Sequence, residues 1–243
     1  MKHITLVFPY YKNPDMFKRQ QRHIMGLPHD LRSCLHVCVC DDGSPVDKAV
    51  DNIVEGFASS VASFQLFRIL VDVRWNWIAC RNLCISKART EWVFHTDIDH
   101  TLPEATLRWL VSAYHNPAKV YFPFARVDAP DGTPNPKHHP NTWFHTVDMF
   151  NRIGGYDERF SGWYGTDSDF RCRAIEASGE CVPVPDHPVM RWPREVVADS
   201  SCPDEFGRKR DIDKENVQRI KRERALIHGW RPLRGTFPWE RLV

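Results

Sequence analysis

Three groups of carboxylates follow or close stretches whose residue pattern could position them for chemistry. Asp41-Asp42-Gly43-Ser44 ends the run 35–40, Asp97-Ile98-Asp99 ends the run 92–96, and Asp167 and Asp169 close a segment, 154–169, dense in glycine and aromatic residues. Strand alternation puts Asp97 and Asp99 on one side and Ile98 on the other. Two carboxylates that close repel one another unless a cation lies between them. A hard divalent ion, itself carrying a diphosphate, suits such an all-oxygen pair. Turn and cap chemistry explains the first group equally well. In the third, glycines permit a tight turn beside a ligand, Trp163 offers a flat apolar face, and Asp167 and Asp169 are candidate bases. A glycine-rich turn leading into an acidic helix start would explain Asp169 but not the aromatics.

The elements that must hold these groups alternate. Residues 4–8 form an apolar run ended by Pro9, which suits a buried strand. Asn13-Pro14 then reads as a helix cap and first turn, with Phe17, Gln20, Gln21 and Ile24 on one face. Further strands are expected at 35–40, 64–71, 92–96 and 120–124. Helices are expected after Ser44-Pro45, over 76–89 and from Pro103. This order implies an α/β protein with one mostly parallel sheet covered on both faces, whose ligands bind beyond the carboxyl ends of the strands. Residues 126–142 hold four prolines without hydrophobic periodicity and read as a long loop over the site, with His138-His139 expected to be solvated. Strand character returns at 143–150, 181–185 is extended, and 213–228 should be a basic helix.

Composition narrows the class. The 243 residues are 42% hydrophobic and 26% charged, which excludes disorder for the chain as a whole. No apolar run approaches the ~18 residues that span a bilayer, and 4–8 is too short for a signal-peptide core, so a soluble, cytoplasmic protein is expected. Eight cysteines without a C-x-x-C pair argue for free, mostly buried thiols in a reducing compartment. The net charge of +2 is unevenly spread: residues 203–243 carry 11 Lys/Arg against 7 Asp/Glu, leaving the rest slightly acidic. Such a tail is either a solvated helix face or an arm for a polyanion.

Four segments, in order, resemble the inverting glycosyltransferases of family 2 with the GT-A fold. They are the opening strand with Pro9-Tyr10-Tyr11; Asp-Asp-Gly-Ser at 41–44; Asn76, Arg81-Asn82, Ala88, Trp92, Asp97 and Asp99; and Ile-Gly-Gly-Tyr-Asp-Glu-x-Phe-x-Gly-Trp at 153–163, followed by Asp167. The last is also similar to the acceptor motif of β-1,4-galactosyltransferases. The resemblance covers about residues 4–185. It implies a transferase domain over 1–202, with a nucleotide-sugar half (1–100) and an acceptor half (101–202), then a basic C-terminal extension at 203–243. By the same resemblance, Pro9, Tyr10 and Asp42 line the nucleobase pocket, Arg81 lies near the diphosphate or sugar, and Asp97 bonds the ribose or sugar. Asp99, with Asp97, ligates Mn²⁺ or Mg²⁺; Asp167 is the catalytic base, with Asp169 in reserve; Trp163 and Asp169 hold the acceptor.

Two departures from the family pattern stand out. Thr166 replaces a carboxylate that usually grips the acceptor, and the late metal-binding histidine is displaced, leaving either His187 as ligand or Arg191 as supplementary charge. The implied donor is a nucleoside-diphosphate sugar, UDP favoured, and the acceptor a glycan, protein or small molecule. Arg208-Lys209-Arg210, Lys214 through Arg224, Trp230 and Trp239 also admit a nucleic-acid acceptor, a modified base in viral DNA. A catalytically silent nucleotide-sugar-binding module is the rival from another class. A nucleotidyltransferase would need a glycine-rich basic loop after the first strand, and Pro9-Tyr10-Tyr11-Lys12 is not one.

Overall fold

Seven consecutive buried residues, Ile4–Tyr10, make the central strand, β1. Its alternating side chains feed two apolar cores: Ile4, Leu6, Phe8 and Tyr10 enter one, and Val7 the other. The computed structural model describes residues 1–198 and 210–243, with the side chain of Arg210 excepted. After β1 come α1 (Pro14–Met25), α2 (His29–Arg32), β2 (Leu35–Asp41), α3 (Phe57–Ser60), β3 (Ser63–Ile69), α4 (Trp77–Ser86), β4 (Trp92–His95), β5 (His100–Thr101) and α5 (Glu104–Ser112). The second half holds β6 (Val120–Asp128), β7 (Thr133–Asn135), β8 (Trp143–Thr146), α6 (Val147–Ile153), α7 (Asp167–Ser178), β9 (Cys181–Arg191), α8 (Arg210–Ala225) and β10 (Trp239–Arg241).

The strands form one sheet in the order β10-β3-β2-β1-β4-β8-β6-β9-β5, with β7 paired to β6. β3, β2, β1 and β4 are parallel, and β6 and β9 continue in their direction; β5, β7, β8 and β10 run against it. Strand order reverses at β1, which opens a crevice beyond the carboxyl ends of β1 and β4. Helices α1 and α5 cover one face; α4, α6, α7 and the inner side of α8, with Val217 and Ile220, cover the other.

Several elements depart from the sequence reading. The loop expected at 126–142 begins as strand: β6 runs on to Asp128 and turns back as β7. The strand expected at 143–150 stops at Thr146, whose hydroxyl accepts from Met149 N at 3.0 Å and caps α6. The short piece expected at 181–185 is the eleven-residue β9. The basic helix sits earlier than 213–228, at 210–225. Among the described residues no disulfide occurs, and Cys34, Cys38, Cys40, Cys80 and Cys84 are buried thiols; Cys202 lies outside the described residues.

The expected extension at 203–243 is woven into the domain over its described part. β10 pairs antiparallel with the outer edge of β3. Leu233 O accepts from Glu158 N at 2.9 Å, and Arg224 reaches Asp169 at 2.5 Å. Trp230 lies under the guanidinium groups of Arg224 (4.5 Å) and Arg159 (5.2 Å), and Trp239 packs on Phe67. Arg208 and Lys209 lie outside the described residues.

A buried histidine pair in the second core makes stability depend on pH. His145 Nδ1 faces Thr146 O at 3.0 Å and must carry the proton there, so its Nε2 accepts from His95 Nε2–H at 2.9 Å. Burial pushes His145 down to about 4 and His95 well below the ordinary imidazole value. The unfolded chain binds protons near pH 6.5 that the folded chain refuses. The stability is therefore complete above about pH 6.5 and is lost as pH falls from there through 4. At about 1.4 kcal/mol per pH unit of that gap, His145 alone should remove about 3 kcal/mol by pH 4. Urea midpoints measured from pH 7.5 to 4 should fall in the wild type, and fall less steeply in a His95→Phe/His145→Phe variant if that variant folds.

Candidate active site

The strand-end residues converge on one cavity of about 280 Å³ beyond β1 and β4. Pro9, Tyr10, Tyr11 and Asn13 approach from the end of β1, Asp42 from β2, and Asp97, Ile98 and Asp99 from β4. The two acids of the first group divide their work. Asp41 accepts from Ser44 N and Ala49 N, each at 2.8 Å, and so builds the turn. Asp42 lines the cavity, and its buried Oδ1 has no hydrogen-bond partner. Burial, then the charge of Asp41, pushes its carboxyl well above the ordinary value. Gly43 takes φ +71° between Asp42 and Ser44, where an added Cβ would stand 2.5 Å from Val71 O, so the position admits only glycine without a backbone shift.

Asp97 is the most heavily held of the acids. Its Oδ1 accepts from Arg81 Nη2, and its Oδ2 faces His139 Nε2 at 3.0 Å. Burial alone would raise its carboxyl, but Arg81 and His139 outweigh that and keep it well below the usual carboxylate range. Arg81 is fully buried on α4, with its guanidinium over the Trp77 ring at 4.5 Å, and it is not part of the cavity wall. It therefore acts through Asp97. Asp99 Oδ1 lies 2.7 Å from His100 Nδ1, and the His100 and His139 rings lie 4.0 Å apart. His139 is accordingly a cavity residue, not the solvated loop histidine expected from sequence; burial, then His100, pushes its imidazole down.

Asp167 opens α7 and lines the far side of the cavity. Burial raises its carboxyl, while a hydrogen bond from the Asn141 side chain works against the rise. The proline-rich segment thus touches the site twice, at His139 and at Asn141, with Pro140 between them on the wall. Trp75, Trp77 and Tyr164 supply the aromatic lining, with Trp75 at φ +55° and its ring 5.5 Å from Tyr164. A bulky residue held in the left-handed region is a local strain of the kind found at ligand sites. These aromatics carry no spacing signal, and sequence reasoning missed all three.

Four expected site residues lie elsewhere. Trp163, next to Tyr164, packs half-buried against the second core. Asp169 is buried between Arg173 (2.8 Å) and Arg224 (2.5 Å), in an ion cluster that ties α7 to α8, and does not line the cavity. His187 stacks on Trp109 at 4.6 Å, and Arg191 is bidentate to Asp128 at 2.8 Å on both arms. Neither lines the cavity with Asp97 and Asp99. Among the described residues no three carboxylate, imidazole or thiol groups already converge on one point as a metal site. No helix among them is long and apolar enough to cross a membrane.

Solved structures share this architecture. S. aureus TarS residues 1–349, crystallised with UDP-GlcNAc, superimposes with a TM-score of 0.59 at 14% identity, over 84% of this chain and 62% of that one. The same TarS fragment with UDP gives 0.55 at 13% identity, over 82% and 63%, and the longer TarS structure gives 0.55 at 14%, over 82% and 38%. This chain thus spans less than two thirds of those proteins, and the likeness shows the GT-A fold. No curated protein matches by sequence. The family model described as glycosyl transferase family 2 matches residues 10–175, which includes every strand-end acid and Asp167. The chain belongs to glycosyl transferase family 2.

Proposed function

We propose that the chain transfers a sugar from a nucleoside-diphosphate donor, UDP favoured, to an acceptor hydroxyl with inversion. The observation that carries this reading is the convergence of Asp42, Asp97, Asp99 and Asp167 on one cavity at the strand ends. Asp42, with an unpartnered buried oxygen, is the group to bond a nucleobase N–H, and the Tyr10/Tyr11 wall flanks it. The UDP-GlcNAc in TarS supports uridine as the base. Asp97, kept ionised by Arg81, and Asp99 are hard oxygen donors that fit Mn²⁺ or Mg²⁺. Such an ion, when bound, neutralises charge developing on the leaving diphosphate.

Asp167 takes the proton of the acceptor hydroxyl as its oxygen bonds to the anomeric carbon. The bond from that carbon to the phosphate oxygen breaks, and the nucleoside diphosphate leaves with the electron pair. A single in-line displacement inverts the anomeric centre. Among the described residues the cavity wall carries four carboxylates and no lysine or arginine, which favours an uncharged acceptor such as a glycan or small glycoside over a polyanion.

Thermal denaturation with UDP, GDP, dTDP or CMP, each with and without Mn²⁺, tests the donor half of the reading. A ligand at a hundred times its dissociation constant adds about 2.7 kcal/mol, roughly 5–10 °C for a chain of this size. UDP with Mn²⁺ should give that shift, and Asp99→Asn should remove it. Stabilisation by no nucleotide under any condition would overturn the reading.

A further inference from the structure

The departure noted in the sequence, the missing late histidine, has a structural answer. Neither sequence candidate can fill that place without leaving existing partners: His187 lies flat against Trp109, and Arg191 is clamped on Asp128. The cavity-lining imidazole that reaches the Asp-x-Asp acids comes from the proline-rich segment between β7 and β8. His139 Nε2 stands 3.0 Å from Asp97 Oδ2 on the cavity wall. Two cis ligands of an octahedral ion, each at about 2.1 Å, are about 3.0 Å apart. The pair is therefore spaced as neighbouring ligands are, with the gap now closed by a hydrogen bond.

The support behind the ring fits the same role. A metal-bound imidazole needs a partner for its other nitrogen. His139 Nδ1 lies 3.0 Å from Thr142 Oγ1, which in turn lies 2.7 Å from Thr96 Oγ1. Both hydroxyls are buried, and hydroxyls donate or accept as required. With Nε2–H directed at Asp97, Thr142 donates to Nδ1. With Nε2 bearing its lone pair toward an ion, Nδ1–H donates to Thr142, which passes its own hydrogen to Thr96. The Thr142–Thr96 pair thus accommodates either tautomer without moving the ring. The His100 ring, 4.0 Å away, packs against the imidazole. Asp99 is turned toward His100 at 2.7 Å, and completing the set requires that carboxylate to turn back.

We propose that His139 is a third protein ligand of the divalent cation, beside Asp97 and Asp99, in place of a histidine from the late strand. The proposal rests on Asp97 and Asp99 being the cation site. A loop ligand has a consequence that a late-strand ligand lacks: Asn141, two residues on, bonds Asp167. Seating the ion therefore also seats the segment that orients the base.

Electron spin-echo spectroscopy of Mn²⁺ with UDP reads coordinated nitrogen directly, independently of turnover. The wild-type protein should show the ¹⁴N modulation of one bound imidazole. His139→Gln, which keeps a side chain able to bond Asp97, should lose it and bind Mn²⁺ roughly tenfold or more weakly. His187→Gln should keep both. Bound Mn²⁺ without nitrogen modulation in the wild type, or modulation that survives His139→Gln, would overturn the assignment of His139 while leaving Asp97 and Asp99 as the cation site. Failure of the wild type to bind Mn²⁺ with or without UDP would overturn the cation site itself, and the assignment with it.

Discussion

Asp167→Asn should reduce kcat by roughly 10²–10⁴-fold, the usual contribution of a positioned general base, while leaving the UDP-dependent thermal shift intact. The amide is nearly isosteric and can still meet Asn141, so the fold has no reason to suffer. What is lost is the one carboxylate of α7 on the cavity wall. Asp169, two residues on, cannot substitute, because Arg173 and Arg224 hold it in an ion cluster away from the cavity. The pH profile offers a second handle. Because burial raises the Asp167 carboxyl, the acid limb of kcat should lie above the ordinary carboxylate value. Asn141→Ala removes a hydrogen bond that favours the ionised form, so the limb should move to higher pH. A limb that stays in place in Asn141→Ala, or an Asp167→Asn variant with near wild-type turnover, would remove Asp167 from the role of base.

Glu158→Ala should give the largest loss of stability without touching the chemistry. Its Oε1 accepts from Asn82 Nδ2 and Gly235 N, each at 2.9 Å, and its Oε2 accepts from Thr236 N at 2.7 Å and Thr236 Oγ1 at 2.6 Å. The residue is buried, so water does not replace the lost acceptors. Hydrogen bonds to a carboxylate are worth about 1.5–3 kcal/mol each, and orphaned donors add desolvation cost. Partial relaxation of the strap at 233–236 lowers the sum, and a loss of about 3–4 kcal/mol is expected. That corresponds to a fall in Tm of roughly 6–15 °C for this chain length. Calorimetry checks the figure, and Glu158→Gln, which retains one acceptor oxygen, should fall less. Turnover below the transition should persist, since Glu158 does not line the cavity. A Glu158→Ala protein as stable as the wild type would show that the C-terminal strap contributes nothing to the fold.

These two residues stand nine positions apart in a stretch that reads alike from end to end, acids among glycines and aromatics. The sequence singles out Asp167 as a candidate base and gives Glu158 no role of its own. What it does determine is local. Alternating apolar runs ended by Pro9, Asp41-Asp42 and Asp97-x-Asp99 are enough to give a parallel α/β sheet with acids at its carboxyl edge, because strand periodicity and strand ends are properties of neighbouring residues. The family likeness of four ordered segments follows from the same local patterns.

Tertiary structure decided the pairings. Arg81 and His139 reach Asp97 from a helix and a distant loop, whereas Arg224 reaches Asp169 from α8 and pairs it off the cavity wall. The segment at 126–142 has no hydrophobic period, so nothing local shows that it turns back as β7 and then delivers His139 and Asn141 to opposite sides of the cavity. The basic tail has a helix-forming composition whether it projects or docks. It docks because Asp157, Glu158 and Asp169 are buried acids that require donors, and the tail carries them. A buried polar group must find a partner wherever the closed chain brings one, and that choice is fixed only when the whole chain has packed.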